Sequence, residues 1–252
     1  GSNSTDWADS ANWSQPNGAA PAGGTANARL EVRTISGGYD LVYGAAQGTT
    51  LYNTSGSGTP RSFLIYPTST FRIEGGIFET QGTSADLIGV NAGFSQMIIN
   101  GGAYVRTNDI AGSELLFGFN ANSTGVLHVV SGLADIRGIS LGANNATAYG
   151  EIWVSGGTLT AGAIVKSTGN GMVFLDGGVF KASQDNLDWI GSGLPVRITG
   201  NGALIDTAGF NVGLQRYLLN SNGNGGLIVY GGGSLALYAG ANNTYAGHTI
   251  VS

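Results

Sequence analysis

The chain has 252 residues, of which 45 are Gly and only 10% are charged, with a net charge of −5 and no Cys. That length can bury a core, the missing Cys removes disulfides, thiolate zinc sites and Cys nucleophiles, and ten scattered Lys and Arg exclude a nucleic-acid partner. Five Pro and Gly that does not recur every third residue exclude collagen; a 42% hydrophobic content that alternates regularly excludes disorder; and no apolar run of about 18 residues is present to insert into a membrane as a helix.

Residues 1–62 fit no repeat. Ser14-Gln15-Pro16-Asn17-Gly18 and Ala20-Pro21-Ala22-Gly23-Gly24 are rich in turn formers. Arg29-Leu30-Glu31-Val32-Arg33 and Tyr39-Asp40-Leu41-Val42-Tyr43 alternate like strands. A stack of repeats exposes its core and strand edges at each end, so it needs a cap. Residues 1–62 are therefore read as an irregular N-terminal cap and residues 63–252 as the repeats. Gly1-Ser2 resembles an expression scar, and the chain stops after the strand-like Thr249-Ile250-Val251-Ser252. The expectation is an excised fragment of a longer protein, truncated at its C-terminal end.

From residue 71 one phrase recurs: apolar, any, apolar, small or polar, Gly, Gly. It begins at Phe71, Met97, Leu127, Ile152, Val173, Val196 and Leu227, at spacings of 26, 30, 25, 21, 23 and 31 residues. The third column is Ile73, Ile99, Val129, Val154, Leu175, Ile198 and Val229, again all apolar. The column between them is mixed: Arg72, Ile98, His128, Trp153, Phe174, Arg197 and Ile228. A period of two with one constant side predicts a β-strand with that side buried. The Gly pair predicts a bend with positive φ. A second strand follows at Ile77-Phe78-Glu79, Tyr104-Val105, Thr158-Leu159-Thr160 and Val179-Phe180-Lys181. A third ends in Leu87-Ile88-Gly89, Leu116-Phe117-Gly118, Ser140-Leu141-Gly142 and Trp189-Ile190-Gly191.

Three short strands per unit cannot bury their own apolar side, but stacked units can. Propeller blades need roughly 40 residues or more per repeat. The fold predicted is an all-β, right-handed parallel β-helix of about seven or more coils, roughly 30–35 Å long at about 4.8 Å per coil.

Leu-Gly-Ala-Asn-Asn-Ala-Thr-Ala-Tyr-Gly-Glu-Ile-Trp-Val-Ser-Gly-Gly-Thr-Leu, residues 141–159, resembles the repeat of autotransporter passengers and PEP-CTERM-type surface proteins. Gly233-Ser234-Leu235-Ala236-Leu237, followed by Asn242-Asn243-Thr244-Tyr245-Ala246-Gly247-His248-Thr249, resembles the autotransporter-associated β-strand repeat. Two departures stand out: Ala246-Gly247-His248 where that repeat usually has a Gly pair, and Tyr238-Ala239-Gly240 where it usually has Ser-Gly. Asp6-Trp7 and Ala11-Asn12-Trp13-Ser14 are similar to the opening of such proteins. The resemblance implies an exported, extracellular or cell-surface passenger, adhesive or serving as a stalk. Its partners would be host or environmental glycans or surface proteins.

Carbohydrate-active enzymes also use parallel β-helices, so a polysaccharide-binding or -cleaving protein is the alternative, and a trimeric fibre of the phage-tail type a third. Asp185-Asn186-Leu187-Asp188-Trp189 is the densest acidic cluster. Asp185 and Asp188 beside Trp189 could serve as a sugar-cleaving acid/base pair or bind Ca²⁺, although local turn hydrogen bonding by Asp and Asn is the favoured explanation. His128 and His248 are far apart in sequence and make no metal site. Gly56-Ser57-Gly58 reads as loop and not as a nucleophile elbow. No catalytic residue, metal or cofactor is assigned. The candidate ligand contacts are His128, Trp153, Phe174, Asp185, Asp188 and Trp189. The first three belong to the out-facing column, where a row of Ile98, His128, Trp153, Phe174 and Ile228, interrupted by Arg197, is expected to form an apolar contact surface with Trp153 and Phe174 as a platform for sugar rings. Asn122, Asn144, Asn145, Asn170 and Asn201 are candidates for side-chain ladders at the corners.

Overall fold

The computed structural model describes residues 8, 30–32, 39–53, 63–81, 84–106, 115–238 and 242–252. Residues 14–24 of the expected cap, the opening motif Asp6-Trp7 and Ala11-Asn12-Trp13-Ser14, and Gly56-Ser57-Gly58 lie outside the described residues. The described chain is all-β apart from a short 3-10 turn, Ala45–Gln47. In chain order the strands are β1 (Leu30–Val32), β2 (Tyr39–Tyr43), β3 (Thr49–Asn53), β4 (Phe63–Ile65), β5 (Ser69–Ile73), β6 (Ile77–Gln81), β7 (Asp86–Ile88) and β8 (Gly93–Arg106). Then come β9 (Leu115–Phe117), β10 (Ser123–Leu141), β11 (Tyr149–Val154), β12 (Thr158–Lys166), β13 (Asn170–Leu175), β14 (Val179–Ala182) and β15 (Asn186–Ile190). The last are β16 (Val196–Ile198), β17 (Ala203–Asp206), β18 (Asn211–Leu214), β19 (Leu218–Asn220), β20 (Leu227–Tyr230), β21 (Ser234–Leu237) and β22 (Thr249–Val251).

Every pairing is parallel, and the strands stack as a β-solenoid of at least seven turns. It has three faces. The first runs β2, β5, the start of β8 and of β10, β11, β13, β16 and β19. The second runs β3, β6, the end of β8, the middle of β10, the start of β12, β14, β17, β20 and β22. The third runs β1, β4, β7, β9, the ends of β10 and β12, β15, β18 and β21. Strands β1, β2 and β3 lie in register with β4, β5 and β6. The ladder thus reaches back to Leu30, into the segment read from sequence as irregular cap.

Both predicted apolar columns point inward: each member is at most 7% exposed. Full burial of each such side chain contributes about 1.5–3 kcal/mol, and the stack supplies what one coil lacks. One phrase is misplaced by the sequence alignment. Leu227 and Val229 pair with Ala203 and Ile205 on the second face. The first face continues instead through Leu218↔Val196 and Asn220↔Ile198 in β19. Strand β19 ends in Asn220-Ser221-Asn222-Gly223, so it lacks the Gly pair. The pair marks any strand that turns a corner, including β20 before Gly231-Gly232, and cannot tell one face from another.

Positive φ occurs at Gly76, Gly101, Gly132 and Gly177, as the bends require. At Gly156-Gly157 it does not. There a Cβ on Gly157 would sit 2.6 Å from Val129 Cγ1 and 2.8 Å from the Gly132 carbonyl oxygen. Successive corners nest too closely for any side chain, and that contact is the reason for Gly at this bend.

Candidate functional site

The out-facing row on the first face is Val42, Arg72, Ile98, His128, Trp153, Phe174, Arg197 and Leu219, paired in that order. All are half-buried. Ile228 does not belong to this row: it pairs with Leu204 on the second face, because its phrase sits there. A basic group stands near either end. Arg72 Nε donates to Asp40 at 2.9 Å, and Arg197 Nη1 donates to the Asn220 carbonyl at 3.2 Å.

Between them lies the aromatic pair. The Trp153 and Phe174 rings are 3.7 Å apart between centroids and 8° from parallel. They are neighbours on adjacent coils, as expected, but the separation is shorter than the ~4.8 Å strand spacing. Rings this close and this parallel overlap face to face with little offset. Each covers the other, and the pair does not lie side by side as a flat platform. His128 is tilted 59° to Trp153 at 6.5 Å. The Trp153 indole N–H donates to the Glu151 carboxylate. Tyr149, on the same outward side, has its phenol pushed up to about 12 by burial and then by Glu151.

Beside this row a polar network climbs the corner. His128 Nε2 lies 2.8 Å from Ser155 Oγ, and Ser155 Oγ donates to Asp176 Oδ2 at 2.9 Å. The serine proton is thereby committed, so His128 donates through Nε2–H. Thr199 Oγ1 donates to Asp176 Oδ1, as does Asn201 Nδ2 at 2.9 Å. Burial lowers the His128 pKa, with Asp176 opposing the shift. Sequence reasoning did not single out Ser155, Asp176 and Thr199, although they occupy the fourth, small-or-polar column of the repeat. Reading that column down the stack would have placed them together.

Trp189 is not a surface residue. It is 0% exposed and its indole N–H donates to the Ala161 carbonyl at 2.8 Å. Strand β15 is irregular between Asn186 and Ile190, which breaks the alternation and turns Trp189 and Ile190 both inward while Leu187 is left 53% exposed. Asp185 and Asp188 remain exposed. Asp185 Oδ1 accepts from the Asn211 N–H at 2.7 Å, and the Asp188 N–H donates to Asn186 Oδ1 at 2.9 Å. The second is a local turn bond of the kind expected of Asp and Asn; the first ties the turn to the next coil, 26 residues on. Among the described residues no three His, Asp or Glu side chains converge as a metal site. At the corners, Asn145 Oδ1 accepts from the Thr147 N–H and hydroxyl, both at 3.0 Å. The Asn122 N–H donates to Thr147 Oγ1 at 2.9 Å.

Compared with protein families, with curated proteins and with solved structures, the chain matches none.

Proposed function

We propose that this chain is a non-enzymatic β-solenoid scaffold, a stalk segment of an exported bacterial surface protein that carries an adhesive strip. The parallel stacking of strands on all three faces supports the mechanical part of this reading. A stack hydrogen-bonded from coil to coil transmits load along its axis and spaces whatever it carries. The repeat-like motifs at residues 141–159 and 233–249 support export. Protease shaving of intact source cells tests location: release of peptides from this chain while cytosolic markers stay intact is expected, and peptides appearing only after lysis would overturn export.

The adhesive part rests on the first-face strip. Asp176 and Asn201 supply a carboxylate and an amide beside the half-buried His128, Trp153 and Phe174. Polar acceptors and donors next to apolar ring edges suit a sugar hydroxyl array. A glycan array probed with the wild-type chain and with Asn201→Ala is expected to give hits that the variant weakens. No hit on glycans or isolated surface proteins would reduce the function to the stalk alone. A reducing-sugar signal on the hits would favour the carbohydrate-cleaving alternative.

A further inference from the structure

The second face carries an out-facing row that the repeat alignment did not show. Ile77, Ala103, Leu133, Thr158, Val179, Leu204, Ile228 and Ile250 pair in succession. Six of these are branched aliphatics, with Ile77 37% and Ile250 51% exposed; beyond Ile77 the row continues in Thr49. Those between Ile77 and Ile250 are half-buried. Parallel sheets are normally covered on both sides, and a continuous outward apolar row marks a contact surface. Two residues further along each strand runs a second row: Glu79, Val105, Asp135, Thr160, Lys181, Asp206 and Tyr230.

We propose that this face binds a second copy of the chain, the two solenoids lying antiparallel about a two-fold axis that crosses the rung of Thr158 and Thr160. Three observations select that occupant and that axis. The first is charge. The axis sets Asp135 opposite Lys181 of the copy, and Lys181 opposite its Asp135. Burial raises the Asp135 pKa, a shift that Lys181 of the same chain, two rungs away, opposes; the copy adds a second cation. Lys181 is only loosely engaged within its own chain, 3.9 Å from Asp206 and 43% exposed.

The second is shape. The same axis puts Leu133 opposite Val179, Ala103 opposite Leu204 and the protruding Ile77 opposite Ile228. Ala103 thus leaves room for the larger Leu204, and Ile77 meets the shallow depression that Leu204, Ile228 and Ile250 line with His248. The third is area. The axis pairs nine rungs, with Thr49 opposite Ile250; at ~4.8 Å per rung and about 13 Å for two outward residues per strand, these cover about 500 Å² on each copy. That reaches the roughly 1,000 Å² total that a specific interface needs.

The chain contains no Cys, so engineered thiols report the geometry without background. Thr158→Cys on the axis is expected to give a covalent dimer with a short flexible bismaleimide, which spans the roughly 10 Å between packed sheets that a direct disulfide does not, while Ile77→Cys, far from the axis, is not. Sedimentation velocity from 1 to 200 μM is expected to show the wild-type dimer. Leu204→Glu is expected to give a monomer with an unchanged far-UV spectrum. Asp135→Lys is expected to weaken the dimer at least tenfold, and Asp135→Lys with Lys181→Asp to restore it. A wild-type monomer throughout that range, a trimer, a dimer indifferent to Leu204→Glu, or cross-linking of Ile77→Cys in place of Thr158→Cys would each overturn the proposal.

Discussion

Among the described residues, Asp86 and Arg106 are the two charged side chains sealed inside the solenoid, 0% and 1% exposed. Arg106 Nη1 donates to Asp86 Oδ2 at 2.9 Å. The same carboxylate accepts from Thr80 Oγ1 and Tyr104 OH, both at 2.6 Å, and Oδ1 accepts from the Phe63 N–H at 2.8 Å. A buried pair is tolerated only when its remaining lone pairs and protons are satisfied in this way. Burial first, and then the Asp86 charge, hold the Tyr104 phenol well above its usual value. Tyr149 behaves similarly, reaching about 12. In the unfolded chain both phenols ionise near pH 10. Above that pH the unfolded state releases protons that the folded state keeps, so folding stability is full below pH ~10 and falls as pH rises further. Urea unfolding at pH 8, 10 and 11 is expected to show this loss, with Tyr104→Phe flattening it; an equal slope in the variant would remove Tyr104 as its source. Strand parity puts Asp86, two residues before Ile88, and Arg106, two after Tyr104, on the inward side. What parity lacks is the partner: the two meet across 20 residues because coils stack, and a buried charge is implausible until its mate is known.

At the scale of single strands, the repeat was legible because its columns are determined by burial alone. Ile152 and Val154 are apolar for the same reason on every coil. The failures occur where a strand departs from alternation or where two faces share one phrase: β15, with Trp189 turned in, and β20, read as the first face. The Trp153–Phe174 stack was legible as adjacency and not as orientation, since ring torsions are set by neighbours on both coils. Because the rings cover each other, they tie β11 to β13 across the coil boundary. A double-mutant cycle with Trp153→Ala and Phe174→Ala is expected to give a coupling energy of about 1 kcal/mol in urea unfolding. Each single change should lower stability measurably. Additive effects within ~0.3 kcal/mol would mean that the rings act as independent exposed groups, and the flat-platform reading would then regain its footing.

Over the whole molecule, each coil touches only the coils before and after it. The stability of such a stack is a sum of unit terms and neighbour interfaces, so within this 252-residue chain it varies with how many neighbours hold each strand. Val251 pairs with the inward Val229 and occupies a core column, yet it is 77% exposed. Leu237, paired with the buried Leu214, is 39% exposed. Among the described residues, β21 pairs with β18 and β22 with β20, while β11 is held by both β10 and β13, with Ile152 and Val154 fully buried. Local opening at β21 or β22 breaks one ladder and exposes little additional core; opening at β11 breaks two ladders and exposes two columns. Native-state hydrogen exchange is therefore expected to give a gradient along the axis. Amides of β22 and β21 should exchange first, those of β20 and β18 more slowly, and those of β11 and β13 only with global unfolding. Equal protection in β22 and β11 would show that the stack unfolds as one cooperative body.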